Sequence, residues 1–320
     1  MRTLSLVIVT LVLTGVVDTI SGDAARASGR LTWQETSQQV DRLFESAWQR
    51  EHVVPVDIAS DEEFIRRIYL DLAGRVPSVS EVRAFLSSDD PNRGVAIVRA
   101  SLPDPACVRH MTIVWRNALI PQAMTQQEFR GSIPGFGAWL WERPAANVAC
   151  DRMVREIITG HVLANPAYPQ AIAFSTSSDA FFAVRRFTPE SLPAGTAHAF
   201  WGVRLDCAQC RDHPFDRWTQ RQFWNMAVFY SGFSQNRDTP AEIAAVEQSD
   251  PGGLSIRIPG TGEIVPAVFL TGDSPVGEGQ KLRSQLADWI VEKRNPRFAK
   301  MADASHKRWG KFSACRAIDF

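Results

Sequence analysis

Apolar residues recur at spacings of three and four along the first two thirds of the chain, behind short polar residues suited to capping a helix. Thr32 with Glu35 opens the first such segment, whose stripe of Val40, Leu43, Phe44, Ala47 and Trp48 makes one face that must pack against something. Ser60 with Glu63 opens the next, and its stripe of Phe64, Ile65, Ile68, Tyr69 and Leu72 runs out at Gly74, a C-terminal cap. Ser78 with Glu81 opens a third. Val108, Met111, Thr112, Trp115 and Leu119 keep the same period, as do Met153, Val154, Ile157 and Ile158 ahead of Gly160. Thr188 before Pro189 predicts a cap and a first-turn proline for a helix that carries Leu192, Ala199, Phe200 and Val203 towards Cys207. Pro214 then breaks the chain, and Thr219 with Gln222 caps a helix bearing Phe223, Met226, Ala227 and Tyr230.

From Gln235 the composition turns polar, and beyond Pro251 the period changes to two. Leu254, Ile256 and Ile258, then Pro259-Gly260-Thr261-Gly262, then Ile264 and Val265 predict one β-hairpin. A last helical stripe, Leu282, Leu286, Trp289 and Ile290, precedes Asn295-Pro296 and a basic tail. The expected fold is mainly α, an irregular multi-helix domain with a small β-hairpin near its C-terminal end. Its expected divisions are a signal peptide over 1–27, a helical domain over 28–234, a polar linker and hairpin over 235–280, and a helix with a truncated or degenerate tail over 281–320.

With 45% hydrophobic and 22% charged residues, the chain has enough apolar surface to bury a core. Its 35 Lys plus Arg balance 35 Asp plus Glu, so no net field draws nucleic acid to it. The first residues change the picture more: Arg2, an apolar run over 4–17, then Ala25-Arg26-Ala27 read as a secretory signal with an A-x-A cleavage site. The run stops at Asp18, short of the about 20 residues that cross a bilayer. The sequence therefore predicts an exported, periplasmic or extracellular protein without a transmembrane segment in its mature form, and cell-envelope proteins as its partners.

The concentrated chemistry is Cys207-Ala208-Gln209-Cys210-Arg211-Asp212-His213-Pro214-Phe215-Asp216-Arg217-Trp218-Thr219. Two cysteines separated by two residues can present both sulfurs to haem vinyl groups, to a metal ion or to each other. A disulfide between Cys207 and Cys210 needs only oxidation. A metal site would use Cys207, Cys210 and His213, with Asp212 or Asp216 as a fourth ligand. Against it stands a rigid turn in which Asp216 accepts backbone N–H bonds and His213 is merely hydrogen-bonded. Cys107 and Cys150 lie on apolar-periodic segments and read as buried side chains, and Cys315 lies in the tail. A thioredoxin-like exchange site fits less well, because these cysteines follow a helix rather than open one. Neither G-x-S-x-G, nor H-E-x-x-H, nor a glycine-rich phosphate loop occurs, so hydrolase and nucleotide-dependent chemistry have no sequence warrant.

This segment resembles the planctomycete cytochrome-c-like domain of the second type, a PSCyt-type domain of unknown function whose hallmark is C-A-Q-C-H-[DN]-H-P-F-D-[RK]-W-T. Leu70-Asp71-Leu72-Ala73-Gly74-Arg75-Val76-Pro77, within residues 61–77, and residues 151–160 resemble its opening and middle motifs, so the likeness spans about 41–230. The resemblance implies covalent haem c on Cys207 and Cys210, and a redox or haem-associated role. It also implies a further C-terminal domain, whose junction residues 286–299 resemble; residues 301–320 match it only faintly. Here Arg211 replaces the proximal histidine, and a guanidinium has no lone pair for iron. His213 would have to serve instead, with His198 or Met226 as a distal ligand. Haem association, a staple in a structural or interaction domain, and a small metal site all stay open.

Overall fold

Amphipathic stripes fix most of the helices, and their caps set the ends. The computed structural model describes residues 33–160, 178–231, 255–276 and 281–292, the strand pairs 233–234 and 246–247, and Asn295 and Phe298. The signal segment 1–27, the tail from 301 with Cys315, and most of the linker over 235–254 lie outside the described residues. The chain falls into two units, one up to Ser60 and the other essentially from Asp61 onward.

In the first unit, helix α1 (Trp33–Arg50) forms where the stripe predicts it. Its apolar face is not buried, however: Leu43 is 71% and Phe44 55% exposed. The expectation of packing fails because no other described helix or strand of that unit closes over the stripe.

The second unit begins with α2 (Asp61–Ile68), which widens into a π-helical turn (Tyr69–Ala73) and stops at Gly74 in the left-handed region, φ 65°. Helices α3 (Val79–Leu86) and α4 (Arg93–Ser101) follow. The capping box at Ser78 is complete, with Glu81 N–H donating to the Ser78 hydroxyl and Ser78 N–H to the Glu81 carboxylate. Asp104 caps α5 (Pro105–Leu119), whose Val108, Met111, Thr112, Trp115 and Leu119 are all buried as their period requires. Ile68 and Leu72 meet Cys107 and Met111 in a small satellite core.

The main core collects α5, the short α6 (Gln122–Thr125), α7 (Ser132–Ala145), α8 (Cys150–Thr159), α9 (Ala180–Ala183), α10 (Leu192–Trp201), α11 (Gln220–Val228) and α12 (Leu282–Ile290). Helix α5 packs on α7, α8 on α12, and α10 on α11. A short antiparallel pair, β1 (Phe233–Ser234) with β2 (Val246–Glu247), precedes the expected hairpin. That hairpin is β3 (Ser255–Arg257) with β4 (Ile264–Pro266), registered Ile256 to Val265, and it packs on α11.

One boundary needs correction. Thr188 and Pro189 do not start a helix; α10 begins at Leu192, with Pro193 in its first turn. The Thr188 and Ser191 hydroxyls instead turn back on each other and on the Arg185 carbonyl, spending the cap on the preceding turn. Arg186 and Phe187 before it are both left-handed, at φ 56° and 49°. That is costly for residues with a Cβ and is held by the fully buried Phe187 ring.

Candidate functional site

Helix α10 ends on Gly202 in the left-handed conformation, φ 64°, and the chain re-enters the core through Val203 and Leu205. A single 3₁₀ turn (Asp206–Gln209) follows, so the cysteines do not ride on the end of α10, as the sequence predicts, but on this separate turn. Cys207 lies within this turn and Cys210 is the residue that caps its C-terminal end. Both thiols are free and exposed, while Ala208 between them is buried and anchors the turn.

The loop beyond is tied down by its own polar groups. His213 N–H donates to the Trp218 carbonyl at 2.8 Å and closes it. Asp216 accepts from Arg217 N–H at 2.7 Å and from the Trp218 indole N–H at 3.0 Å. Asp212 accepts from Gln220 N–H at 2.9 Å, capping the first turn of α11 beside the capping box of Thr219 and Gln222. The Gln209 carbonyl accepts from Trp224 Nε1 at 3.0 Å. Trp218 is buried beneath the loop, whereas Phe215 at its tip is 94% exposed.

His213 Nδ1 accepts Phe215 N–H at 3.2 Å. The proton of a neutral ring then sits on Nε2, and no lone pair is left for a metal unless that bond breaks. Among the described residues, no three His, Cys, Asp or Glu side chains converge as a metal site. Arg211, exposed, stands where a c-type haem needs its proximal imidazole. Met226 is buried in the core and His198 is exposed. This donor set does not suit an iron porphyrin.

Other polar groups that sequence reasoning passes over are buried in the same unit. Arg185 donates to the carbonyls of Phe181 at 2.6 Å and Leu119 at 3.0 Å, over the Phe181 ring, and burial pushes its guanidinium down to about 10. Arg283 on α12 donates to the carbonyls of Ile158 at 2.8 Å and Gly160 at 3.0 Å, so it clamps the C-terminal end of α8. Tyr230 shares a 2.6 Å hydrogen bond with Thr196, and burial pushes its phenol up to about 12. His110 lies against Gly74, and its buried Nε2 has no hydrogen-bond partner among the described residues. No sequence signal distinguishes these charged residues from surface ones; only the apolar character of their neighbours hints at them. Cys107 and Cys150 are buried, and burial raises the Cys107 thiol.

Compared with known proteins, the chain matches over residues 39–235 the sequence model of PSCyt2, described as a protein of unknown function (DUF1549). No curated protein and no solved structure matches it.

Proposed function

Because the chain belongs to the PSCyt2 family of proteins of unknown function, we propose that it is an exported redox module whose active element is the thiol pair of Cys207 and Cys210 rather than haem. The couple is a disulfide taking up two electrons and two protons to give two thiols. The observation that carries this reading is that Cys207 in the 3₁₀ turn and Cys210 at its C-terminal cap are both free and exposed. A staple alone would add little here, since a disulfide across two intervening residues closes a very small loop whose Gln209 carbonyl is already held by Trp224 Nε1. Export follows from the signal-like first 27 residues, and an oxidising compartment would supply the oxidant.

The test is the mature chain isolated from a host with haem-attachment machinery, its thiols trapped by alkylation and its intact mass and visible spectrum recorded. Cys207 and Cys210 should pass together between alkylated and cystine forms as a thiol buffer is varied, with no Soret band. A Soret band with added haem mass, or a pair that never oxidises, overturns the reading. A second reading, an interaction domain of the cell envelope, is favoured by Phe215, whose ring is left 94% in solvent at the tip of the loop.

A further inference from the structure

Trp218 closes the cysteine loop from below, and it does not stand alone. Its ring centroid lies 6.2 Å from that of Trp201 on α10, and Trp201 lies 4.6 Å from Trp289 on α12. Trp201 and Trp218 are buried, at 5% and 2% exposure; Trp289 is half-buried and donates its indole N–H to Thr271 at 3.2 Å. Phe269 stacks on Trp289 and Phe229 on Phe269, but phenyl rings are far harder to oxidise than indoles, so along this described chain of rings a relay of electron vacancies runs through the three tryptophans.

From this geometry we infer that Trp289, Trp201 and Trp218 form an electron relay that moves oxidising equivalents from the surface at α12 to the base of the cysteine loop. The electron acceptor is an outer-sphere one-electron oxidant at the Trp289 end. It takes one electron from Trp289 and is itself reduced; Trp201 refills Trp289, and Trp218 refills Trp201. An oxidised indole is strongly acidic at its N–H, and Trp218 Nε1 is 3.0 Å from Asp216 Oδ2. The proton passes to Asp216, leaving a neutral indolyl radical at Trp218, a protonated Asp216 and a reduced acceptor. The Arg217 guanidinium, 4.8 Å from the Trp218 ring centroid, opposes positive charge on that ring. Transfer of the proton to Asp216 removes that opposition, so Trp218 is the trap and the other two rings are stepping stones.

The relay goes beyond the thiol reading and does not depend on it, since none of its steps uses a sulfur. The experiment is flash-quench oxidation of the full mature chain by tris(bipyridyl)ruthenium, with transient absorption following the indole radicals. The wild type should accumulate a long-lived neutral radical. Trp201→Phe and Trp218→Phe should each lower its yield severalfold, and Asp216→Asn should leave a radical cation in its place. Substitution of both Cys207 and Cys210 by Ser should change none of this, so the two proposals fail separately. Unaltered yield in folded Trp201→Phe overturns the relay. Asp216 is exposed, so Asp216→Asn decides the matter if a core tryptophan variant does not fold; a neutral radical persisting there equally overturns it.

Discussion

Two glycines inside helices should respond oppositely to the same substitution. Gly195 lies in α10 against the buried Arg185, and a Cβ added there would come 1.8 Å from Nε, 2.7 Å from Cδ and 2.8 Å from Cζ. Gly137 lies in α7 with nothing within 4 Å of an added Cβ. Helix propensity alone favours alanine at both by about 1 kcal/mol. At Gly195 the methyl must displace a guanidinium that satisfies two buried carbonyls, each bond worth about 1.5–3 kcal/mol because the donor is charged. Subtracting the propensity gain leaves Gly195→Ala destabilised by about 2–5 kcal/mol, against a stabilisation of about 1 kcal/mol for Gly137→Ala. Urea unfolding followed by circular dichroism reads both from midpoint shifts at unchanged slope. The cycle with Arg185→Ala sharpens the test, because the cost of Gly195→Ala should largely vanish once Arg185 is gone. Additive losses, or a Gly195→Ala chain as stable as the wild type, would refute the close-contact argument.

His110 predicts an acid response. Burial holds its imidazole below the ordinary 6.5, with Asp71 opposing, so as pH falls the unfolded chain binds the proton first. Its contribution is therefore whole above about 6.5 and drains away below it, and His110→Asn should flatten the pH dependence of the urea midpoint between neutral and mildly acid buffer; parallel curves would count against it. Gly74→Ala should be strongly destabilising, since the residue sits at φ +65° and an added Cβ would lie 2.3 Å from His110 Nδ1; a normal thermal midpoint would show that the π-turn yields. Thr219→Ala removes the cap of α11 and should cost about 1 kcal/mol. The same change should speed alkylation of Cys210, because Asp212 and the capping box hold one junction together.

What the sequence discloses depends on whether a residue's surroundings are periodic. The stripes of α5, α8 and α11 are legible because one face of each is apolar and buried, and that of α12 because Leu286 and Ile290 are buried on it. Helix α4 escapes notice because it buries no residue and has no side-chain cap. Helix α7 escapes because Pro134, Gly135, Gly137 and Pro144 read as breakers, although Phe136, Trp139 and Leu140 lock it into the core. In the cysteine loop, the rigid-turn reading of His213 and Asp216 matches the hydrogen bonds they make. The burial of Arg185 and Arg283 is invisible in the sequence, since the Leu119, Ile158 and Gly160 carbonyls they bind come from remote parts of the chain.

The clamp of Arg283 on the end of α8 also bears on where the domain can be cut. The family's shared sequence ends at residue 235, yet Leu286, Ala287 and Ile290 of α12 lie in the same core as Val154, Ile157 and Ile158. A fragment trimmed to the shared stretch would lose one wall of its interior, leaving an oily face and two unanswered carbonyls at its broken edge. The cooperative folding block is thus larger than the stretch by which relatives are recognised, and a recombinant piece meant to behave natively has to carry α12 with it.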